Sequence, residues 1–171
     1  MTISHHCEIK KAMPEDAQAI IEFLNAVGGE TDFLTFGLNE FPLSVEDESK
    51  IIDECIGEER NLMLVGKVND QIISQLFLET SAQSRLKHIG YIGLTVLRNY
   101  WGQKVGSQML AQAIEWAKQK QLAKLQLQVR TDNHQAIQLY KKFGFVCEGT
   151  VVKALRIGEH YFDDFLMGLI I

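Results

Sequence analysis

The chain reads as one α/β domain, a mixed sheet with helices on its faces. Three observations carry that reading. Seven short runs are apolar or alternate apolar with polar, as strands do. Four segments between them repeat apolar residues at helical spacing. No Pro/Gly-rich linker, internal repeat or low-complexity stretch divides the 171 residues, a length that suits one well-buried core. The whole of residues 1–171 is therefore expected to be a single domain.

Cys7 to Ala12 is the first expected strand. Pro14 suits the first turn of a helix, which gains an apolar stripe from Ala17, Ile20, Ile21 and Leu24 and ends at Gly28-Gly29. After a loop, Ser44 and Asp47 resemble a capping box that opens a helix to about Ile56. Asn61 to Val68 and Gln71 to Glu79 are strands, and Asn69-Asp70 between them is a hairpin turn by residue type. Ile89 to Leu97 is a buried strand, and Val105 to Lys120 a long helix. Leu125, Leu127 and Val129 alternate with Gln126, Gln128 and Arg130, the pattern of a half-buried strand. Asn133 to Phe143 is a helix with Gly144 as its C′ residue. Phe145 to Arg156 and His160 to Leu169 form a closing hairpin. The order is β-α-α-β-β-β-α-β-α-β-β.

Composition excludes several classes. Apolar content of 46% and charged content of 23% are ordinary for a soluble domain. No run approaches the ~18 apolar residues of a membrane span, and Met1 to Glu8 has no apolar signal-peptide core. The expected location is the cytoplasm, with no membrane partner. Three cysteines, far apart and odd in number, argue against a disulfide framework. No clustered His/Cys spacing suggests a metal, so none is expected. The net charge of −5 is uneven: residues 1–60 hold 14 acidic and 4 basic side chains, and residues 61–171 hold 8 and 13. That profile is not the basic face of a nucleic-acid-binding protein.

The most informative segment is Arg98-Asn99-Tyr100-Trp101-Gly102-Gln103-Lys104-Val105-Gly106-Ser107. It joins a buried strand to an amphipathic helix. Such a turn points several backbone N–H groups at one spot, with the positive helix end behind them, and makes an anion site suited to a phosphate or pyrophosphate. It is neither a dinucleotide fingerprint nor a Walker loop. Further on lies Asn133-His134-Gln135-Ala136-Ile137-Gln138-Leu139-Tyr140-Lys141-Lys142-Phe143-Gly144-Phe145.

Together the two segments resemble the GNAT superfamily of acetyl-CoA-dependent N-acetyltransferases. That family's turn reads Arg/Gln-x-x-Gly-x-Gly/Ala, and its later helix Asn-x-x-Ala-x-x-Leu-Tyr-x-x-x-Gly-Phe. Here Trp101 stands at the Arg/Gln position and Lys104 at the first glycine, while Gly102 and Gly106 remain. The resemblance implies a mostly antiparallel seven-stranded sheet in which two neighbouring strands splay apart to admit the pantetheine arm of acetyl-CoA. It also implies cofactor contacts from Leu94, Thr95 and Val96, from Gly102, Gln103, Lys104, Val105, Gly106 and Ser107, and from Asn133 and Tyr140. Lys104 can add a charge-assisted contact to a phosphate. Asn133 is expected both to cap its helix and to meet the pantetheine arm, although Asp132 is an alternative cap.

Tyr140 follows Asn133 by seven residues, two turns along one helix face. By the resemblance it is the catalytic residue, a general acid or hydrogen-bond donor at the departing sulfur. A phenol pKa of about 10 against about 8.5 for a thiol makes proton donation feasible but weakly driven. A backbone N–H at Val96 would polarise the thioester carbonyl. An alkylamine near pKa 10 leaves only about one part in 10³ unprotonated at pH 7, so a proton acceptor is needed. One branch, the ribosomal-protein alanine acetyltransferases, carries a Glu five residues before the Asn; here that position is Gln128. Glu30, Asp32, Glu79 and His88 remain candidates, and no base is assigned among them. By the resemblance, Glu30, Asp32 and Glu40 lie in the loop region that shapes the acceptor pocket, with Asp163 and Asp164 near it on the final strand; these acidic residues are either a solvated surface or a field that steers a cationic amine. Trp101, Trp116, Phe143, Phe162 and Phe165 read as packing. The expected activity is acetyl transfer from acetyl-CoA to a primary amine by direct attack, on a small molecule or a peptide. The alternatives are peptide or protein N-terminal acetylation and a non-catalytic acetyl-CoA sensor. The apolar final strand, Phe165 to Ile171, suits a homodimer interface or the core equally.

Overall fold

The computed structural model describes residues 7–57 and 60–171, so His5-His6, too short a run for a metal site, lies outside it. The strands are β1 (Glu8–Lys11), β2 (Leu62–Val68), β3 (Gln71–Thr80), β4 (Ile89–Val96), β5 (Lys124–Arg130), β6 (Val146–Ile157) and β7 (His160–Ile170). The helices are α1 (Ala17–Gly28), α2 (Val45–Gly57), α3 (Val105–Gln119) and α4 (His134–Lys142). They follow one another in the order expected from the sequence.

All the strands join one sheet in the order β1-β2-β3-β4-β5-β7-β6. Each neighbouring pair is antiparallel except β4 with β5. Asn69 and Asp70 both adopt left-handed backbone, φ 50° and 64°, as the expected two-residue hairpin turn requires. Side-chain alternation sends Leu62, Leu64, Leu76 and Leu78 to one face, against Val105, Met109, Leu110 and Ala113 of α3 and Ile137 and Tyr140 of α4. Met63, Val65 and Ile72 go to the other, against Ile20, Leu24 and Val27 of α1 and Ile52 of α2. Leu125, Leu127 and Val129 of β5 join the α3 side, which turns Gln126, Gln128 and Arg130 to the opposite face.

Two details differ from expectation. Pro14–Asp16 forms a separate 3₁₀ turn, and α1 begins at Ala17. Asp16 Oδ2 accepts the Met13 N–H at 3.0 Å, and Asp16 Oδ1 takes Lys67 Nζ at 2.5 Å, which draws the chain tight before the helix. The final strand divides its apolar residues: Met167 is in the core, whereas Ile170 is exposed. The three cysteines are free. Among the described residues, no helix is long and apolar enough to cross a membrane.

Candidate functional site

The site begins where two strands part. β4 and β5 pair only through Ile89–Lys124, Gly90–Leu125 and Tyr91–Gln126. β5 then continues to Arg130 beside β7, and β4 runs on to Val96 beside β3. Antiparallel parity decides which backbone groups enter the gap. The Leu97 N–H donates to the Ile73 carbonyl at 2.9 Å, so the Thr95–Gln75 pair, two residues earlier, also bonds across β3–β4. Leu94 and Val96 then turn their N–H and carbonyl groups the other way, toward a strand that is no longer there. Thr95 thus contributes to the cleft by its side chain, not its backbone. The Val96 carbonyl accepts the Trp101 indole N–H at 2.7 Å. Trp101, read from sequence as packing, instead lines the cleft and ties the turn to β4, with the Arg98 guanidinium 5.5 Å from its ring centroid.

The turn after β4 closes one end of the cleft. Gly102 and Lys104 both have positive φ, 74° and 67°. Glycine adopts this backbone freely, whereas a lysine pays about 1 kcal/mol for it. The two bends set Lys104 as the N-cap of α3 and leave the Val105, Gly106 and Ser107 N–H groups as the first-turn donors of a 15-residue helix. A Cβ at Gly106 would stand 3.2 Å from Leu139 Cδ2 and 3.6 Å from Leu94 Cδ2, so glycine lets α3 approach both. Gly102, Lys104, Val105, Gly106 and Ser107 all line the cleft. Gln103 does not: its side chain donates to the Asn99 carbonyl at 2.7 Å and its N–H to the Tyr100 carbonyl at 3.4 Å.

Helix α4 forms the facing wall. Asn133 is the cap, its Oδ1 accepting the Ala136 N–H at 3.2 Å, which leaves its amide NH₂ as a donor at the cleft. Asp132 is not the cap, because its carboxylate is held by Arg130. At the other end, Gly144 (φ 93°) allows a Schellman motif, with the Phe145 N–H on the Tyr140 carbonyl at 3.1 Å and the Gly144 N–H on the Lys141 carbonyl at 3.0 Å. The Phe145 ring packs 5.8 Å from the Tyr140 ring. These contacts fix a buried Tyr140 along the cleft wall. Burial pushes its phenol up to about 12, so it stays a neutral donor throughout the physiological range.

Val27, Thr31, Phe33 and Leu34 close the cleft on the side of α1 and the loop after it. The open cleft has a volume of about 260 Å³. The acidic residues of this side are mostly engaged. Glu30 Oε2 accepts the Arg98 N–H at 2.7 Å, Glu40 Oε2 the Gly37 N–H at 2.9 Å, and Asp163 Oδ1 the Lys153 N–H at 2.8 Å. Asp32 is exposed and Asp164 half-buried, with burial raising the Asp164 carboxyl and Arg130 opposing. Glu79 lies opposite Tyr91, about 16 Å along β4 from Val96. His88 precedes β4 at that same far end, its carbonyl taken by the Ala123 and Lys124 N–H groups. Neither lines the cleft. Sequence reading also missed Arg130, whose alternating strand pattern is the same for a solvated arginine and a buried one.

The Acetyltransferase (GNAT) family model matches residues 31–145. Over 109 residues the chain is 32% identical to the L-amino acid N-acetyltransferase AaaT of Escherichia coli (strain K12), covering 61% of this chain. It spans 65% of that relative, just under two thirds of its length. A crystal structure of a GNAT-family acetyltransferase from Streptococcus pneumoniae superimposes with a TM-score of 0.93 at 33% identity, covering 97% of this chain and all of that one. The yncA protein of Salmonella typhimurium, solved with its cofactor acetyl-CoA, shares the fold at a TM-score of 0.83 and 16% identity, covering 96% of this chain and 94% of that one.

Proposed function

The chain belongs to the acetyltransferase (GNAT) family, and on that premise we propose that it moves an acetyl group from acetyl-CoA to a primary amine by direct attack. The parting of β4 from β5 carries the reading. It leaves a strand edge with free donors and an acceptor, lying between an anion-binding turn and a buried phenol. A long ligand with phosphates at one end, amides in the middle and a thioester at the other matches that order of groups.

Acetyl-CoA supplies the activated acyl group. The turn N–H groups from Lys104 to Ser107, with the α3 dipole and the Lys104 ammonium, suit its pyrophosphate. The Val96 N–H, the Leu94 carbonyl and the Asn133 amide suit its pantetheine arm, which adds to the sheet as a strand would. Leu94 lies farther from the turn than Val96 along β4, so its N–H, rather than that of Val96, suits the thioester carbonyl oxygen as negative charge grows on it. Tyr140 donates a hydrogen bond to the sulfur as the carbon–sulfur bond breaks. With its phenol at about 12, above a thiol's value of about 8.5, Tyr140 stabilises the thiolate without surrendering its proton fully. That favours the hydrogen-bond donor over the full general acid.

The test is thiol release from acetyl-CoA against polyamines, amino acids, aminoglycosides and short peptides with free N-termini. The similarity to AaaT makes amino acids the first class to try. Release with one class is the expected result and names the acceptor. Binding of acetyl-CoA without release for any class would contradict the reading and favour a sensor.

A further inference from the structure

Arg130 is 7% exposed, yet it is not a core residue of the sheet's α3 side. Its guanidinium lies between two rings, 4.7 Å from the centroid of Phe33 and 3.9 Å from that of Phe162. Its Nε and Nη2 donate to the two Asp132 carboxylate oxygens at 2.8 and 2.7 Å. Its Nη1 donates to the Asp32 carbonyl at 2.8 Å, across 98 residues of sequence. One planar group therefore joins a strand end, the residue before the α4 cap, a β7 ring and the loop after α1.

Resting on the acetyltransferase reading, we propose that Arg130 is a positioning residue that fixes the acceptor wall of the cleft to the framework holding the donor. The wall is the segment Thr31–Leu34, which has no regular hydrogen-bonded structure of its own. Its Phe33 and Leu34 side chains line the cleft. Near the cleft mouth it is tied on one side by Glu30 to the Arg98 N–H and on the other by Arg130 to the Asp32 carbonyl. The Asp132 end of the clamp is adjacent in sequence to Asn133, so the distance between acceptor wall and donor helix is set through one side chain. The residue type matters. A guanidinium is planar, can fork onto a carboxylate and stack on a ring at once, and a lysine ammonium can do neither. The attacking amine must meet the acyl carbon at near-contact distance, and a displacement of about 1 Å in the wall costs up to about 10²-fold in rate.

Arg130→Met and Arg130→Lys test the clamp, with Phe33→Ala as a variant that leaves the Arg130–Asp132 pair intact. Amide exchange over residues 31–36, acetyl-CoA affinity by calorimetry, and acceptor kinetics are measured on each. Arg130→Lys is expected to behave like Arg130→Met: exchange faster by about tenfold, acceptor KM higher by about tenfold, and acetyl-CoA Kd within about threefold of wild type. Phe33→Ala should reproduce the KM change. Unchanged exchange and KM in Arg130→Lys would overturn the proposal. So would an equal loss of acetyl-CoA affinity, which a merely structural residue would give. Absence of turnover in the wild type would contradict the acetyltransferase reading instead, and exchange at residues 31–36 would still decide whether the clamp exists.

Discussion

The side of the cleft proposed to hold acetyl-CoA and the side proposed to hold the acceptor are built from different materials. On the side proposed to hold acetyl-CoA, backbone groups point into the cleft. Strand parity aims the Leu94 and Val96 groups, a helix start aims the Val105 to Ser107 N–H groups, and a Schellman turn fixes Tyr140. On the acceptor side, side chains hold a loop to distant parts of the chain: Glu30 to the Arg98 N–H, Asn25 to the Phe41 N–H, and Arg130 to the Asp32 carbonyl. A backbone-built site tolerates substitution, so the proposed phosphate turn need not lose binding where Trp101 and Lys104 replace the residues of the family's pattern. A side-chain-built site changes with each substitution, and with it the acceptor.

The largest effect expected on the donor side is that of Tyr140→Phe, which removes one hydroxyl and keeps the ring against Phe145. It should lower kcat by about 10²-fold and leave acetyl-CoA affinity within a few-fold of wild type. Full kcat in the folded variant would remove Tyr140 from the chemistry. Between pH 7 and 10 the rate should rise as the acceptor amine loses its proton. No fall attributable to the phenol is expected in that range, because burial holds it near 12. A downturn abolished by Tyr140→Phe would contradict that.

Lys104→Gly gives a smaller effect and separates two contributions. Glycine relieves the left-handed backbone at φ 67° and should stabilise the protein by about 0.5–1 kcal/mol. It also removes a cation from the cleft, so acetyl-CoA should bind several-fold more weakly at low salt, and the difference should shrink as salt rises. Unchanged binding with raised Tm would mean that the lysine contributes nothing to the phosphate site.

The smallest effect concerns the acceptor side's support. Glu48 of α2 is 2% exposed, with Gln75 Nε2 3.4 Å from its carboxylate. Gln75 in turn pairs with Thr95 of the cleft. Burial raises the Glu48 carboxyl, with the Gln75 bond opposing. The folded state therefore binds more protons than the unfolded one between the ordinary carboxylate value and the raised one, and stability falls as pH rises through that window. Glu48→Gln removes this loss. Its Tm advantage over wild type should grow from about pH 4 to neutrality; a constant difference would show that Glu48 does not titrate on folding.

The same contrast explains what could be read in the sequence. Every expected strand and helix appears in order, with the start of α1 moved to Ala17, because apolar periodicity and turn chemistry are local. The Gly102–Ser107 turn and the Asn133/Tyr140 spacing are equally local, so the two segments that face each other across the cleft were legible. The exceptions are instructive. Gln103 sits inside the motif but spends its groups on Asn99 and Tyr100. Thr95 lies between Leu94 and Val96 but faces β3, which only the strand register reveals. Arg130 and Asp32 are 98 residues apart, and no periodicity connects them. Glu30 is an acidic loop residue like many others until the fold brings it to the Arg98 N–H.

The most direct test of the backbone-built donor site is amide exchange at single-residue resolution across Leu94, Thr95 and Val96, with and without saturating acetyl-CoA. The expected result is an alternation: Leu94 and Val96 exchange readily in the free protein and become protected on binding, while Thr95 is protected in both states. Equal protection of all three in the free protein, or no change at Leu94 and Val96 on binding, would contradict the account.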